Sequence, residues 1–142
     1  LDNMDYGEMA ANMKLIAIDE MRHAEMFAER IKELGGEPAT QGDGKVVKGQ
    51  DVRKIFVFDA GLEDNTIDAY NQFLLVCREA GDSISANLFQ AVIGEEQIHY
   101  NHFDNVAGHI KSLGDAYLSR IAGTPASTGG PGKGFVLNKG GA

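Results

Sequence analysis

In 142 residues there is one cysteine, Cys77, three prolines and no tryptophan. A single cysteine excludes an internal disulfide and any zinc or iron site built from several thiolates. It fits a reducing compartment. Positive charge is also scarce: 13 Lys and Arg stand against 21 Asp and Glu, a net charge of −8. That balance excludes the clustered cationic face a nucleic-acid binder needs. It suits a protein that attracts cations, and equally one that is merely soluble. No run of 18 apolar residues occurs, so nothing in this sequence spans a membrane. The acidic first residues lack the basic and apolar regions of a secretory signal, and the expected location is the cytoplasm. The chain starts with Leu1 rather than Met, which points to processing or to a missing beginning.

What is present is helical periodicity over one domain's worth of chain. The spacing predicts a first helix from about Met4 to Leu34, with Met9, Met13, Ile16, Phe27, Ile31 and Leu34 on one stripe. Gly35, Gly36 and Pro38 stop it. A second helix is predicted from Val52 to Glu79, its stripe carrying Ile55, Phe56, Leu62, Tyr70, Phe73, Leu74 and Cys77. A third runs from about Ile84 to Leu113, with Leu88, Val92, Phe103, Val106, Ile110 and Leu113 inward, capped by Asp82 or Ser83. A short helix follows from Asp115 to Ile121. The Gly-rich stretch 123–142, with Pro125 and Pro131, reads as a flexible tail beyond a bundle domain of residues 1–122.

The tight turn at Ala80-Gly81 makes helices two and three antiparallel neighbours. The segment from Gly35 to Asp51 is far longer. Its 17 residues can cover about 56 Å when extended, and a thirty-residue helix is about 45 Å long. It can therefore cross the whole length of a bundle.

The informative residues are those that interrupt the apolar stripes. Helix one passes from Ile16 through Glu20 and His23 to Phe27. Helix two passes from Ile55 through Asp59 and Glu63 to Thr66. Helix three passes from Val92 through Glu96 and His99 to Phe103. Glu20, His23, Glu63, Glu96 and His99 are thus expected to point inward. Three buried carboxylates need partners, a metal, or a raised pKa, and these stripes contain no Lys or Arg. Glu20 with His23, and Glu96 with His99, are Glu-x-x-His pairs whose members share a helix face. Carboxylate oxygen with imidazole nitrogen suits iron, manganese or zinc better than calcium. With 10 Glu and 4 His, chance supplies about 0.3 such pairs, so two pairs in two core stripes are informative. Two pairs plus carboxylates from other helices is the di-metal pattern of ferritin-like bundles.

Other residues read less sharply. His102 and His109 sit near the polar boundary as solvated histidines. Asp19 and Glu95 flank the pairs and read as solvated carboxylates or an iron-transfer site. Tyr70 either donates to a metal-bound carboxylate or fills the core, and Cys77 reads as a small core residue. Met21 points about 100° from Glu20, among Ala17, Ile18, Ala24 and Ala28. That second apolar face suits a subunit interface. Its thioether fits interface packing, or ligation of a haem iron.

The run Ile18-Asp19-Glu20-Met21-Arg22-His23-Ala24-Glu25, the stretch Leu34 to Pro38, and Glu95-Glu96-Gln97-Ile98-His99 resemble bacterioferritin. The resemblance spans about Leu1 to Gly123. It implies an all-α, ferritin-like four-helix bundle with one long crossover and a short C-terminal fifth helix. It implies a di-iron centre at which Fe(II) is oxidised by dioxygen or peroxide, with Glu20 and Glu96 bridging, His23 and His99 terminal, and Glu63 a terminal carboxylate. It implies a hollow homo-oligomer of 24 subunits storing ferric mineral, with haem shared between two subunits through Met21 of each. It also implies a helix ahead of Met4 carrying a sixth ligand, a glutamate. Nothing in this sequence corresponds to that helix, and Glu8 is about three turns from Glu20. The chain is expected to lack its N-terminal part and to leave an apolar groove open. The alternatives are a rubrerythrin-like peroxidase, whose usual four-cysteine iron site one Cys rules out, a haem-carrying subunit without oxidase activity, and a metal-free interaction bundle.

Overall fold

The computed structural model describes residues 6–40, 42, 44, 51–124 and 133–139. Among them lie five helices: α1 (Gly7–Glu33), α2 (Val52–Glu79), α3 (Ser83–Leu113), α4 (Asp115–Ile121) and α5 (Phe135–Lys139). The expected helix start near Met4 lies outside the described residues. The Asp51 carboxylate accepts from the Arg53 N–H at 3.0 Å, and Asp82 from the Ser85 N–H at 3.0 Å. Each satisfies an N–H that the first turn of its helix leaves free. Gly114 adopts φ +53°, which an L side chain resists, so α3 ends there and α4 restarts at once.

Chain direction follows from the side-chain pairs. Asp19 meets His99, His23 meets Glu96, and Arg30 meets Ser85. Numbers rise along α1 as they fall along α3, so these helices are antiparallel. The turn at Ala80–Asp82 makes α2 antiparallel to α3 as well. Hence α1 and α2 are parallel, and their connection must run from one end of the bundle to the other. Residues 41, 43 and 45–50 of that crossover lie outside the described residues.

The core at one end joins Met9, Leu15 and Ile16 of α1, Val52, Phe56 and Ala60 of α2, and Phe103, Val106 and Ile110 of α3. Leu118 of α4 and Phe135 of α5 complete it. At the other end Phe27, Tyr70 and Phe89 pack ring to ring, with centroids 5.0–5.6 Å apart. The stripe expected on α2 is only partly buried: Phe56 and Leu74 are inside, while Leu62 and Phe73 are each 50% exposed. The reason is that α1 and α2 make far less contact with each other than α2 makes with α3. Phe73 lines a groove of about 390 Å³ with Phe27, Ile31, Leu34, Tyr70 and Cys77. This is the open apolar groove that the sequence leads one to expect.

Within the stretch read as a tail, residues 133–139 lie against the bundle. Phe135 is 2% exposed, and α5 packs against α1 and α3. One buried phenylalanine contributes about 1.5–3 kcal/mol toward ordering it.

Candidate metal centre

Glu20 and His23 sit one turn apart on α1, Glu63 on α2, and Glu96 and His99 one turn apart on α3. Glu20, Glu63, Glu96 and His99 each present a ligand atom within 4.8 Å of the others. His99 Nδ1 lies 3.0 Å from Glu20 Oε1, 3.5 Å from Glu96 Oε2 and 4.0 Å from Glu63 Oε1. His23 Nδ1 lies 2.8 Å from Glu96 Oε1 and 3.7 Å from Glu20 Oε2. Glu20 and Glu96 therefore each turn one oxygen toward each imidazole. Four donor residues thus gather at His99, namely Glu20, Glu63, Glu96 and His99 itself, while His23 faces Glu20 and Glu96. No sixth donor stands out among the described residues. Glu96, His23 and His99 are buried as expected, but the Glu20 side chain remains 45% exposed.

The far nitrogens of both rings are held by Asp19 and Glu95, the carboxylates expected either in solvent or at an iron-transfer site. His99 Nε2 is 2.7 Å from Asp19 Oδ2, and Asp19 is wholly buried. His23 Nε2 is 3.1 Å from Glu95 Oε2. The pairing is crossed: the acid preceding each inward glutamate serves the histidine of the other helix. Such a partner fixes the tautomer, leaving Nδ1 for a metal. Arg22 ion-pairs with Glu95 and reaches Asp19 Oδ1 at 3.4 Å. The only hint in the sequence was the parallel between Asp19-Glu20 and Glu95-Glu96.

The donor set fits a divalent metal. Glu96 Oε2 and His99 Nδ1 are buried, face one another, and have no hydrogen-bond partner. Glu20 Oε1 is close to that nitrogen but outside hydrogen-bonding geometry. Buried polar atoms rarely remain unpaired, and a dication between them would satisfy both.

The electrostatics agree. Burial opposes a charged His23, yet the carboxylates of Glu20, Glu96 and Glu95 overcome it and raise its pKa to about 10. Burial likewise opposes charge on His99, and Glu20, Glu96 and Asp19 raise it to about 10. Burial, then neighbouring Glu96, pushes Glu63 up to about 9. Glu96 and Glu20 move the other way: burial resists, but His23 and His99 hold both below the usual carboxylate range. Without metal the cluster thus stores protons on both imidazoles and on Glu63. A bound cation competes for the same lone pairs and releases them.

Tyr70 is half-buried, packs edge-on to Phe27 at 5.5 Å and lines the groove. Burial raises its pKa, and the nearby carboxylates add to this. His102 is half-buried and stacks on Phe135 at 4.8 Å, so it is not the solvated residue expected. His109 is exposed beside Tyr117. Met21 is 60% exposed, away from the cluster.

Residues 1–114 match the ferritin-like domain family. A bacterioferritin of Desulfovibrio desulfuricans is 66% identical over 136 residues, covering 96% of this chain and 76% of its own. One from Streptomyces coelicolor is 34% identical over 133 residues, covering 92% of this chain and 80% of its own. A solved bacterioferritin of Desulfovibrio desulfuricans, determined with its di-iron site in different catalytic states, superposes with a TM-score of 0.89 at 66% identity. It covers 95% of this chain and 79% of that chain. Bacterioferritin of Mycobacterium tuberculosis superposes with a TM-score of 0.79 at 30% identity, covering 85% of this chain and 77% of that chain.

Proposed function

The chain belongs to the bacterioferritin family and is an iron-storage subunit with a di-iron centre, and from that premise we propose how its residues oxidise Fe(II). Glu20 and Glu96 would each offer one oxygen to either of two ions, with His99 and Glu63 helping to hold one and His23 the other. The observation that carries this reading is that Glu20 and Glu96 each turn one oxygen to each imidazole. Bound Fe(II) is the substrate: two ions give one electron each, and the pair reduces peroxide, with two protons, to two waters, or dioxygen to peroxide.

The carboxylates favour the ferric product, because the harder, more charged ion gains more from anionic oxygen. Asp19 and Glu95 keep the rings oriented so that Nδ1 stays on the metal side. Glu63 gives up its proton as the ion arrives.

The remaining parts of the reading come from family likeness. Ferric product is stored as mineral inside a shell of 24 copies. Met21, whose thioether is exposed on the outer face of α1, would hold a haem iron together with Met21 of a second copy. A Soret band lost in Met21→Leu, with iron oxidation unchanged, checks the haem site. No helix among the described residues is long and apolar enough to cross a membrane. We place the protein in the cytoplasm, which its single cysteine supports.

Stopped-flow oxidation of added Fe(II) in air tests the central role. Wild type should show a fast phase saturating near two irons per chain, lost in Glu96→Ala. Oxidation at the buffer rate in both proteins would sink the ferroxidase reading and leave a haem carrier.

A further inference from the structure

Asp19 is held from two sides. Its Oδ2 accepts from the His99 ring and, at 3.1 Å, from the backbone N–H of Val136. That N–H comes from a segment more than a hundred residues away in sequence. The approach is close: a Cβ on Gly134 would land on Asp19 Oδ1, and Gly134 adopts φ +88°. Glycine is the residue that tolerates both conditions. Next to it, Phe135 is fully packed, with its ring 6.1 Å from the His99 ring and 4.8 Å from that of His102. Phe135 also lines a cavity of about 400 Å³ whose wall mixes polar residues such as Glu8, Asn12 and His109 with apolar ones such as Met9, Ile98 and Val106. Phe135 thus packs against the His99 ring where Asp19 holds it, and all three side chains are buried.

We propose that Gly134, Phe135 and Val136 are positioning residues of the metal centre, holding His99 through Asp19. The proposal rests on the di-iron reading above. The Val136 N–H fixes the Asp19 carboxylate, Asp19 fixes the ring, and the ring presents Nδ1 to the ion. A low-dielectric cover strengthens each of these bonds. The likeness to solved structure extends into this segment: the Desulfovibrio desulfuricans protein covers 95% of the chain, more than the 122 of 142 residues before Gly123 can supply.

Co(II) titration of the full chain, followed by its visible ligand-field spectrum, tests the proposal. Wild type should bind two Co(II), both lost in Glu96→Ala. Gly134→Ala and Phe135→Ser should keep the helical circular dichroism and weaken one of the two ions about 10- to 100-fold, with a changed band shape. Phe135→Leu should restore both. Unchanged isotherms and spectra in the variants would overturn this inference alone. Absence of Glu96-dependent binding in wild type would overturn the di-iron reading and this inference with it. Hydrogen exchange of the wild-type peptide spanning 134–139 gives a reading that no variant's folding can confuse. Protection of the Val136 amide is expected, and free exchange there would refute the contact.

Discussion

Around His99, four donors from three helices converge, and the ring's far nitrogen is held by Asp19, which is wholly buried. Around His23, three donors converge, and the far nitrogen is held by Glu95, whose side chain keeps 17% exposure. Both halves grow from the same local pattern, an acid, a glutamate and a histidine three residues on. What separates them is what other elements add. On the His99 side α2 contributes Glu63, and α5 closes over Asp19. On the His23 side Arg22 pairs most closely with Glu95, bringing positive charge toward an ion position that already has fewer donors. A short motif sets ring and carboxylate on one helix face; tertiary neighbours decide how well the resulting position holds a cation.

Removing donors breaks the comparison most sharply. Isothermal titration with Co(II) should give a tight and a weak step in wild type. His99→Ala or Glu63→Ala should abolish the tight step, and His23→Ala the weak one. Equal steps in wild type, or a tight step that survives without His99, would remove the asymmetry.

The outer carboxylates offer a finer probe. Asp19→Asn should weaken the tight ion about 10- to 100-fold, the usual cost of losing a partner behind a metal-bound histidine. Glu95→Gln should weaken only the other ion, and by less, because solvent can take over part of its role. The same titration measures both.

Protons sharpen the comparison least but across both halves at once. The two histidines, raised to about 10 in the folded metal-free protein, stabilise it fully below their unfolded value of about 6.5. That contribution is lost as pH rises toward 10. Glu63, raised to about 9, acts in the same direction from its unfolded value of about 4.3 upward. Glu20 and Glu96, lowered, stabilise above the ordinary carboxylate range and lose that effect as pH falls. The melting temperature of the metal-free protein should therefore peak near pH 4.5, decline gently to about pH 6.5 through Glu63, and fall more steeply from there toward pH 10 as the histidines add. Metal should flatten the alkaline fall, and its binding at pH 7 should release protons detectable with an indicator dye. A flat alkaline limb without metal would mean the histidines are not charged in the folded state.

Much of this was legible in the sequence because helical spacing is strict. Glu20 with His23 and Glu96 with His99 fall on core stripes, and Glu63 interrupts a third, so the residues that cluster could be named from periodicity, although the Glu20 side chain stays 45% exposed. Helix limits followed from Gly35 and Gly36, from the cap at Asp82 or Ser83, and from Gly114. What could not be read was anything set by the packing of distant segments. Asp19 lies beside Glu20 in sequence and so points off the apolar stripe; only the antiparallel approach of α3 shows that this direction meets His99. His102 looked solvated because the ring that covers it, Phe135, comes from a segment whose glycines signal disorder. Leu62 and Phe73 sit on a correct apolar stripe, yet burial of that stripe depends on a neighbour at the open corner between α1 and α2.

The most direct measurement is anomalous diffraction at the iron edge from crystals of the iron-loaded protein. Two peaks about 3.5–4 Å apart are expected between Glu20 and Glu96, the stronger beside His99 and Glu63. Peaks elsewhere in the bundle, or a stronger peak beside His23, would contradict the assignment of the centre and of its two halves.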